Sequence, residues 1–330
     1  MADPRRVALT GASGFLGLNL LAGLLNSDSS VTAISRHPEE ADELIRLVRS
    51  PLTATVERAD INDTSALVAI LEQARPDVLI HSAAVTPIRE DVEREGFTEA
   101  VQTNILGSVS VLDAARRCGV RVVVYISSGT VYGNRTSLRP LLETDRAAPT
   151  GIYGITKHSA ERLWLRHAEL FERTARVVRV SVPYGPWERP SGSRRVTSPM
   201  PKWCRSALEG RDVSEPVDIA RDFTYVEDTV TGILRIAFSP RTRHRIYNVS
   251  SGHLYWYSDV LAMLAALHPG FTYEVGPKLS RGSVAVPRRG PLSIARVARE
   301  FDWQPGVSLE QGLRKYLAWM ELHQRSVAVE

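Results

Sequence analysis

Two hydrophobic patterns alternate along the first half of the chain. Short apolar runs are separated by longer stretches in which apolar residues recur at helical spacing. The short runs predict strands over residues 7–9, 31–34, 54–58, 78–80 and 122–126. The longer stretches predict helices after Gly17, over 39–48, from an N-cap at Asp63 to 71, and up to about 117 with Gly119 as a C-cap. Because the strands are apolar almost throughout, they predict a parallel sheet covered by helices on both faces.

The pattern changes at about residue 182. Beyond it, proline and glycine cluster and the elements become shorter. The sequence there predicts an extended segment over 223–225, a strand over 246–249, and helices over 201–209, 228–238, from a cap at Ser258 to 267, and over 309–323. We therefore expect a first domain over residues 1–182. A smaller mixed α/β region follows over residues 183–330, and some of its segments return to the first domain.

Three glycines follow the first strand, at Gly11, Gly14 and Gly17, and a helical pattern of leucines begins directly after them. The first glycine suits a tight turn, the second permits close approach of a ligand, and the third lets the helix lie close to the strand. The helix N-terminus offers free N–H groups to a pyrophosphate. A plain glycine-rich turn is the alternative, but the strand before and the helix after favour a dinucleotide site. The first domain is thus predicted to be a Rossmann-type doubly wound parallel sheet, and the second region to bind the substrate.

Candidate catalytic residues follow the fifth strand. Ser128 and Thr130 leave the sheet at its carboxyl edge, where open α/β sheets bind ligands. Tyr153 and Lys157 share one face of a predicted helix that runs to about residue 171. A phenol is a poor base at neutral pH, but a nearby ammonium favours the phenolate. Tyr153 can then exchange a proton with a substrate hydroxyl, while Ser128 and Thr130 hold the substrate oxygen.

Composition narrows the partners. The net charge of +4 is spread along the chain, and basic pairs such as Arg194–Arg195 are too short for a nucleic-acid footprint, so an anionic small molecule is the better partner. Cys118 and Cys204 lie far apart, which argues against a metal site or a disulfide framework and fits a reducing compartment. No apolar run approaches the ~20 residues that span a bilayer, and there is no room for a signal peptide before the first strand. We expect a cytoplasmic protein with no metal, nucleic-acid or membrane partner.

The combined motifs resemble the extended short-chain dehydrogenase/reductases, in particular the NAD-dependent epimerase/dehydratase group that includes UDP-galactose 4-epimerase. The resemblance covers almost the whole chain. It is carried by residues 10–17, 60–61, 82–84, Asn104, 127–133, 153–157, 184–186, 221–228 and 303–305. Together these motifs are specific for the superfamily but say little about the substrate.

The resemblance implies a role for each matching residue. Ser128 and Thr130 would bind the substrate hydroxyl, Tyr153 would act as acid and base, and Lys157 would bind the nicotinamide ribose. The implied cofactor-binding residues are Gly11, Ser13, Gly14, Phe15, Leu16, Gly17, Ser35, Arg36, Asp60, Ile61, Ser82, Ala83, Ala84, Asn104 and Lys157. Arg221, with Arg289 as its partner, would bind a substrate diphosphate; a structural role for Arg221, paired with Asp222 or Asp228, is the open alternative. The family analogy also implies a homodimer packed through the helices that include Asn104 and Tyr153.

Three departures from the family pattern refine these expectations. NAD-binding members end the second strand in an acid, whereas this chain has Ser35 and then Arg36, which suits a 2′-phosphate; we expect NADP to be preferred over NAD, with a solvated loop arginine as the alternative. Dehydratases carry an Asp-Glu pair where this chain has Gly129 and Thr130, so a dehydratase is not expected. Val182 replaces the asparagine usual in nucleotide-sugar enzymes, which weakens the case for a nucleotide-linked substrate.

The sequence leaves both enzymatic and non-catalytic functions to be weighed. The first expectation is an NAD(P)-dependent oxidoreductase, a ketoreductase or dehydrogenase, that transfers hydride at a secondary alcohol or ketone carbon of a sugar-like substrate, free or nucleotide-linked. The alternative is a nucleotide-sugar epimerase with tightly bound NAD. A non-catalytic dinucleotide-binding regulator is disfavoured because such a protein is expected to lack Tyr153 or Lys157, and this chain has both.

Overall fold

The structure is a computed structural model and describes residues 4–48, 54–135, 137–278 and 289–327. Its strands are β1 Arg5–Thr10, β2 Ser29–Ser35, β3 Ala54–Arg58, β4 Val78–His81, β5 Val122–Ser128, β6 Thr174–Val180, β7 Val182–Tyr184, β8 Val213–Glu215, β9 Ala220–Arg221, β10 Phe223–Tyr225, β11 Ile246–Val249, β12 Tyr255–Trp256 and β13 Tyr273–Val275. Its helices are α1 Phe15–Leu25, α2 Glu39–Val48, α3 Thr64–Ala74, α4 Glu90–Val101, α5 Ser108–Arg117, α6 Ile152–Leu170, α7 Met200–Leu208, α8 Val226–Phe238, α9 Tyr257–Leu267, α10 Ala295–Phe301 and α11 Leu309–Val327. A π-helical segment, Gln102–Gly107, joins α4 to α5, and a short 3-10 helix, Gly129–Tyr132, follows β5.

Seven parallel strands form the central sheet, in the order β11-β6-β5-β4-β1-β2-β3. The order reverses between β1 and β4, because β2 and β3 extend the sheet to one side and β5 and β6 to the other. Helices cover both faces: α1, α8 and α10 pack on one, and α3, α5 and α6 on the other. The predicted doubly wound α/β fold is confirmed. The reversal creates a crevice at the carboxyl ends of β1 and β4, where such folds bind ligands.

A third apolar cluster lies outside the sheet. It joins α7, α9 and α11 and contains Trp203, Leu261 and Tyr316, all fully buried. Short strand pairs, β7 with β10, β9 with β12 and β8 with β13, connect these helices to the rest of the chain. Elements between residues 183 and 330 thus build this cluster, while β11 and α10 from the same stretch pack in the main sheet and on its face.

Most predicted elements are confirmed, some of them one to four residues longer than the pattern indicated. Asp63 caps α3 by accepting a hydrogen bond from the Ala66 backbone N–H at 3.0 Å. Gly119, directly beyond α5, has φ +72°, as a C-cap glycine should. The long helical region ends at Arg117 as expected, but the π-helical segment interrupts it.

The sequence pattern missed β6 because two arginines interrupt its apolar run. Arg176 and Arg179 are only 2% and 3% exposed. Arg176 donates hydrogen bonds to the carbonyl groups of Ile236 and Ala237 at the end of α8, at 2.6 and 2.8 Å. The other arginine pairs with Glu161 on α6. Each guanidinium therefore has buried acceptors, and the strand is as enclosed as its apolar neighbours.

One predicted cap was wrong. Ser258 lies inside α9, and its hydroxyl donates to the Asp218 carboxylate at 2.7 Å instead of capping the helix. The first turn is capped by Asp259, whose carboxylate accepts the Trp256 backbone N–H at 3.1 Å. None of the helices in the described part of the chain is long and apolar enough to cross a membrane.

Candidate active site at the sheet switch point

A cavity of about 1030 Å³ opens above the carboxyl ends of β1, β4, β5 and β6. It brings together residues from distant parts of the sequence. Of the predicted site residues, Ser13, Gly14, Phe15, Leu16, Gly17, Ser82, Ala84, Ser128, Thr130, Tyr153, Lys157, Arg221 and Arg289 line it. The other predicted residues do not line it: Gly11, Ser35, Arg36, Asp60, Ile61, Ala83 and Asn104.

The glycine loop is built as the sequence predicted. Gly11 has φ +72°, and a Cβ there would lie 2.5 Å from the Ala83 nitrogen, so no other residue fits without a shift of the backbone. Gly14 precedes α1 in extended conformation, and no side chain caps this helix. The Ser13 hydroxyl is buried and has no hydrogen-bond partner among the described residues. Free backbone N–H groups and an unpaired hydroxyl at a helix N-terminus fit the pyrophosphate of a dinucleotide.

Acidic residues surround Arg36 at the end of β2. Its guanidinium lies 3.8 Å from the Asp60 carboxylate and 3.9 Å from the Glu99 carboxylate. The Ser35 hydroxyl faces the backbone of His37, and Ile61 is buried with its side chain against Gly107. Two carboxylates near one guanidinium offset its charge, so Arg36 is a weaker site for a 2′-phosphate than its position in the sequence indicated.

Tyr153 and Lys157 project from the first turns of α6 into the cavity. Burial raises the pKa of the Tyr153 phenol, while the charge of Arg194, a hydrogen bond with Ser128 and the charge of Arg289 act in the opposite direction. Two arginines and a hydroxyl group thus oppose the upward shift that burial causes in the pKa of Tyr153, whereas the sequence pointed only to Lys157. The arrangement gives Tyr153 a surrounding in which it can release and recover a proton.

Lys157 is 2% exposed, and its ammonium lies 4.3 Å from the centre of the Tyr125 ring. Burial lowers the pKa of Lys157 to about 7, and the nearby Glu161 carboxylate acts against this shift. The ammonium therefore lies in a partly enclosed position where a polar ligand group can hydrogen-bond to it.

Ser128 and Thr130, the two residues predicted to hold the substrate oxygen, line the same cavity as Tyr153. The Ser128 hydroxyl accepts the Thr130 backbone N–H at 3.2 Å. The Thr130 hydroxyl is buried and has no partner among the described residues. A buried hydroxyl without a partner is costly, and a ligand oxygen would satisfy it.

Asn104 lies in the π-helical segment and holds two neighbouring elements of the site together by hydrogen bonds. Its amide accepts the Val85 N–H at 2.8 Å, donates to the Val85 carbonyl at 2.9 Å, and donates to the Thr156 hydroxyl at 3.0 Å. One side chain thus fixes both the loop after β4 and the helix that carries Tyr153. It does not line the cavity, so it positions the site instead of contacting a ligand there.

A buried ion pair holds α6 against β5 and β6. Glu161 accepts hydrogen bonds from Arg179 at 2.9 and 2.7 Å and from the Ser127 hydroxyl at 2.5 Å. Burial alone would raise the pKa of Glu161, but these donors hold it at about 2. The carboxylate remains ionised one helical turn beyond Lys157 and opposes the loss of that lysine's charge.

Arg221 and Arg289 line the same cavity, and Arg289 lies near enough to Tyr153 for their charges to interact. Burial lowers the pKa of both, and the charge of Arg221 contributes to lowering that of Arg289, to about 10. Asp222 accepts hydrogen bonds from the Ser251 hydroxyl and the Leu292 N–H, at 2.7 and 2.8 Å. Two arginines that line one cavity can bind an anionic ligand group. Arg288, the neighbour of Arg289 in sequence, lies outside the described residues.

Sequence reasoning missed the loop that follows β7. Arg189 and Arg194 from this loop line the cavity near the glycine loop. The available signal was the proline- and glycine-rich stretch after residue 183 that contains the basic pair Arg194–Arg195, but nothing in it indicated which arginine faces inward.

Comparison with known proteins agrees with this arrangement. The sequence model of the NAD dependent epimerase/dehydratase family matches residues 7–250. UDP-glucose 4-epimerase of Mycolicibacterium smegmatis is 28% identical over 317 aligned positions, which cover 94% of this chain and 96% of that protein. UDP-glucuronate 4-epimerase 2 of Arabidopsis thaliana is 26% identical over 341 positions, which cover 95% of this chain and 75% of the plant protein. The solved structure of MoeE5 with UDP-glucose and NAD has a TM-score of 0.79 and 28% identity, and the match covers 96% of this chain and 99% of that chain.

Proposed function

This chain belongs to the NAD dependent epimerase/dehydratase family, and we propose that it is a nucleotide-sugar 4-epimerase that keeps NAD bound through each turnover. The two relatives described above are 4-epimerases of UDP-sugars. Epimerisation was the alternative expectation from the sequence, and these relatives support it over net oxidation or reduction. Both reactions share hydride transfer at a secondary alcohol carbon.

One observation carries the proposal: a single cavity holds Tyr153 with Lys157, a Thr130 hydroxyl that has no partner among the described residues, the glycine loop and the arginines Arg221 and Arg289. A nucleotide sugar needs this combination. Its diphosphate would bind Arg221 and Arg289, so the segments between residues 183 and 330 supply the anion site. The sugar would then lie toward the catalytic residues on the sheet.

Tyr153 would take the proton from the sugar 4-hydroxyl and return it to the same oxygen at the end of the cycle. The hydroxyl groups of Ser128 and Thr130 would hold that oxygen, and Lys157 would bind the nicotinamide ribose and favour the phenolate. NAD, when bound, supplies the hydride acceptor and donor. Gly129 and Thr130 stand where a dehydratase needs carboxylates, so loss of water is not part of the proposal.

We propose NAD as the cofactor. MoeE5 binds NAD together with UDP-glucose or UDP-glucuronic acid, and the two carboxylates beside Arg36 disfavour an extra phosphate. The NADP preference expected from Ser35 and Arg36 has no support from these neighbours.

The test of the proposed function is a turnover assay without added cofactor. The purified chain is incubated with UDP-glucuronate and with UDP-glucose, and the C4 epimers are measured by NMR. We expect an epimer from at least one substrate. We also expect Tyr153→Phe to reduce turnover by about 10²–10⁴-fold while it keeps NAD affinity. Steady accumulation of NADH from added NAD, with no epimer formed, would identify a dehydrogenase instead.

We also propose a homodimer that buries an apolar face on the helices around α4 and α6. Large apolar side chains are exposed there: Phe97 is 56%, Leu106 55%, Ile155 41% and Leu163 38% exposed. Several exposed apolar side chains on packed helices favour a protein–protein contact. A second copy of this chain fits the family analogy that the sequence raised.

A further inference from the structure

A loop crosses the cavity at the switch point of the sheet. This strap, residues 186–198, is tied to α1 by the Asn19 side chain, which donates to the Pro186 carbonyl at 3.0 Å. It is tied to α2 by an ion pair between Arg189 and Glu40. These two helices lie on the β1–β2 side of the crevice.

The same strap is fixed on the opposite side. The Thr86 N–H, just beyond β4, donates to the Ser193 carbonyl at 2.8 Å. The Arg195 guanidinium pairs with Glu95 of α4 at 2.6 Å. The strap therefore spans the groove above the glycine loop, and a ligand on that loop cannot leave in this direction until the contacts on one side open.

Arg194 is the residue of the strap that is aimed at the glycine loop. Its guanidinium carbon lies 5.3 Å from the centre of the ring of Phe15, the first residue of α1. Glu188, itself 5% exposed, accepts a hydrogen bond from one Nη of Arg194 at 2.8 Å. The same carboxylate accepts the N–H and the hydroxyl of Ser198, both at 2.8 Å. The Glu188 carboxylate, which Ser198 holds in place, therefore fixes the position of the Arg194 guanidinium.

One donor of this guanidinium is free for a ligand. The Nε of Arg194 is buried and has no hydrogen-bond partner among the described residues. The glycine loop and α1, residues 11–25, contain no charged side chain. The N-terminus of α1 provides only about half a positive charge, whereas a dinucleotide brings a diphosphate with about two negative charges. In a partly desolvated groove this excess charge needs a cation.

We propose that Arg194 pairs with the diphosphate of the bound dinucleotide and that the strap thereby retains the cofactor. The inference rests on the proposed function and explains one of its requirements. An epimerase must return the hydride to the sugar that gave it, so the reduced cofactor has to stay in the cavity until the second transfer. Arg194 is a cofactor-binding residue in this proposal, whereas Arg195 only fastens the strap to α4.

Adjacent arginines provide a matched pair of variants for the test. Arg194→Gln and Arg195→Gln are freed of nucleotide and titrated with NAD, ADP-ribose and adenosine by calorimetry. We expect Arg194→Gln to weaken binding of NAD and ADP-ribose by about 10-fold or more, the size typical of a lost charged hydrogen bond. Adenosine, which lacks the diphosphate, should bind both variants within about twofold of the wild-type affinity, and Arg195→Gln should bind all three ligands within the same margin.

Two results would overturn the proposal. One is unchanged NAD affinity in Arg194→Gln, and the other is an equal loss for adenosine, which would mean that the substitution only disorders the loop. If Arg194→Gln does not fold, the double variant Arg194→Gln with Glu188→Gln decides, because it removes the cation together with the buried carboxylate that pairs with it. Weaker NAD binding with unchanged adenosine binding would support the proposal in that variant, and unchanged NAD binding would contradict it. These titrations need no turnover, so a chain that binds NAD through Arg194 but epimerises no UDP-sugar would refute the proposed function alone.

Discussion

At the scale of single residues, Lys157 couples function to a cost in stability. Its pKa is 10.5 in the unfolded chain and about 7 in the folded one. Folding therefore releases a proton between these two pH values, and the free energy of unfolding rises with pH across that window. Below about pH 7 the lysine is charged while it is buried, so the full free-energy cost of burying the ammonium is present.

Replacing this lysine should stabilise the nucleotide-free protein while it impairs the enzyme. We expect Lys157→Met to raise the melting temperature most at pH 6 and least near pH 10, because the wild-type lysine is already neutral in the folded protein at high pH. Calorimetry at both pH values measures the difference. Lys202→Met is the control, since Lys202 is 61% exposed and pairs with Glu215 on the surface. An equal effect of Lys157→Met at both pH values would show that folding does not shift the pKa of this lysine.

Arg36 gives a second prediction at this scale. The wild-type chain should bind NADH more tightly than NADPH, because Asp60 and Glu99 lie beside the guanidinium. Glu99→Gln removes one of these charges without touching the cavity. It should improve NADPH affinity by up to about fivefold and leave NADH unchanged, as expected for one partly exposed ion pair. Fluorescence titration with both nucleotides measures this, and tighter binding of NADPH to the wild-type chain would restore the expectation drawn from Ser35 and Arg36.

At the scale of elements, the sequence predicts those whose own residues determine their structure. Apolar runs and the glycine loop specify β1 to β5 and the start of α1 locally, and Asp63 caps α3 as its position indicated. The strand β6 escapes prediction because Arg176 and Arg179 look like surface residues until their buried acceptors are known. Strands of two or three residues, such as β9 and β12, exist only through their pairing with each other.

The residues of the candidate site likewise fall into those that the sequence predicts and those that it does not. Tyr153, Lys157 and the glycine loop carry motif spacings, so the sequence reveals them. Arg194 belongs to no such motif, because its proposed role depends on where the strap, residues 186–198, lies in the fold. The hydrogen bonds of Asn104 likewise depend on a π-helical turn that hydrophobic periodicity cannot distinguish from an ordinary helix.

The buried pair between α6 and β6 gives the prediction at this scale. Arg179→Leu would leave Glu161 buried without its main partner, and we expect a loss of about 3–5 kcal/mol in the free energy of unfolding. The double variant Arg179→Leu with Glu161→Gln should recover a large part of it, because an amide needs no counter-charge and still accepts from Ser127. Urea unfolding of the wild type and the three variants, including Glu161→Gln alone, measures the coupling. A double variant that is no more stable than Arg179→Leu would show that the lost packing of the arginine dominates.

At the scale of the whole molecule, the proposed dimer rests on the exposed apolar side chains on and around α4 and α6. We expect the wild-type chain to be a dimer by light scattering and Leu106→Glu to be largely monomeric, because a buried unpaired carboxylate is costly at an interface. Leu142→Glu is the matched control, since Leu142 is 44% exposed but follows β5 outside these helices. A wild-type monomer, or dissociation by both substitutions, would contradict the proposed face.

The hydrogen bonds of the Asn104 amide have a consequence for how the site tolerates change. The same amide holds Val85, in the loop after β4, and Thr156, three residues after Tyr153. Asn104 therefore links the loop after β4 to α6, and a displacement of either element shifts the other. Substitutions at Val85 or in the π-helical segment can for this reason misalign Tyr153 without changing a residue that lines the cavity.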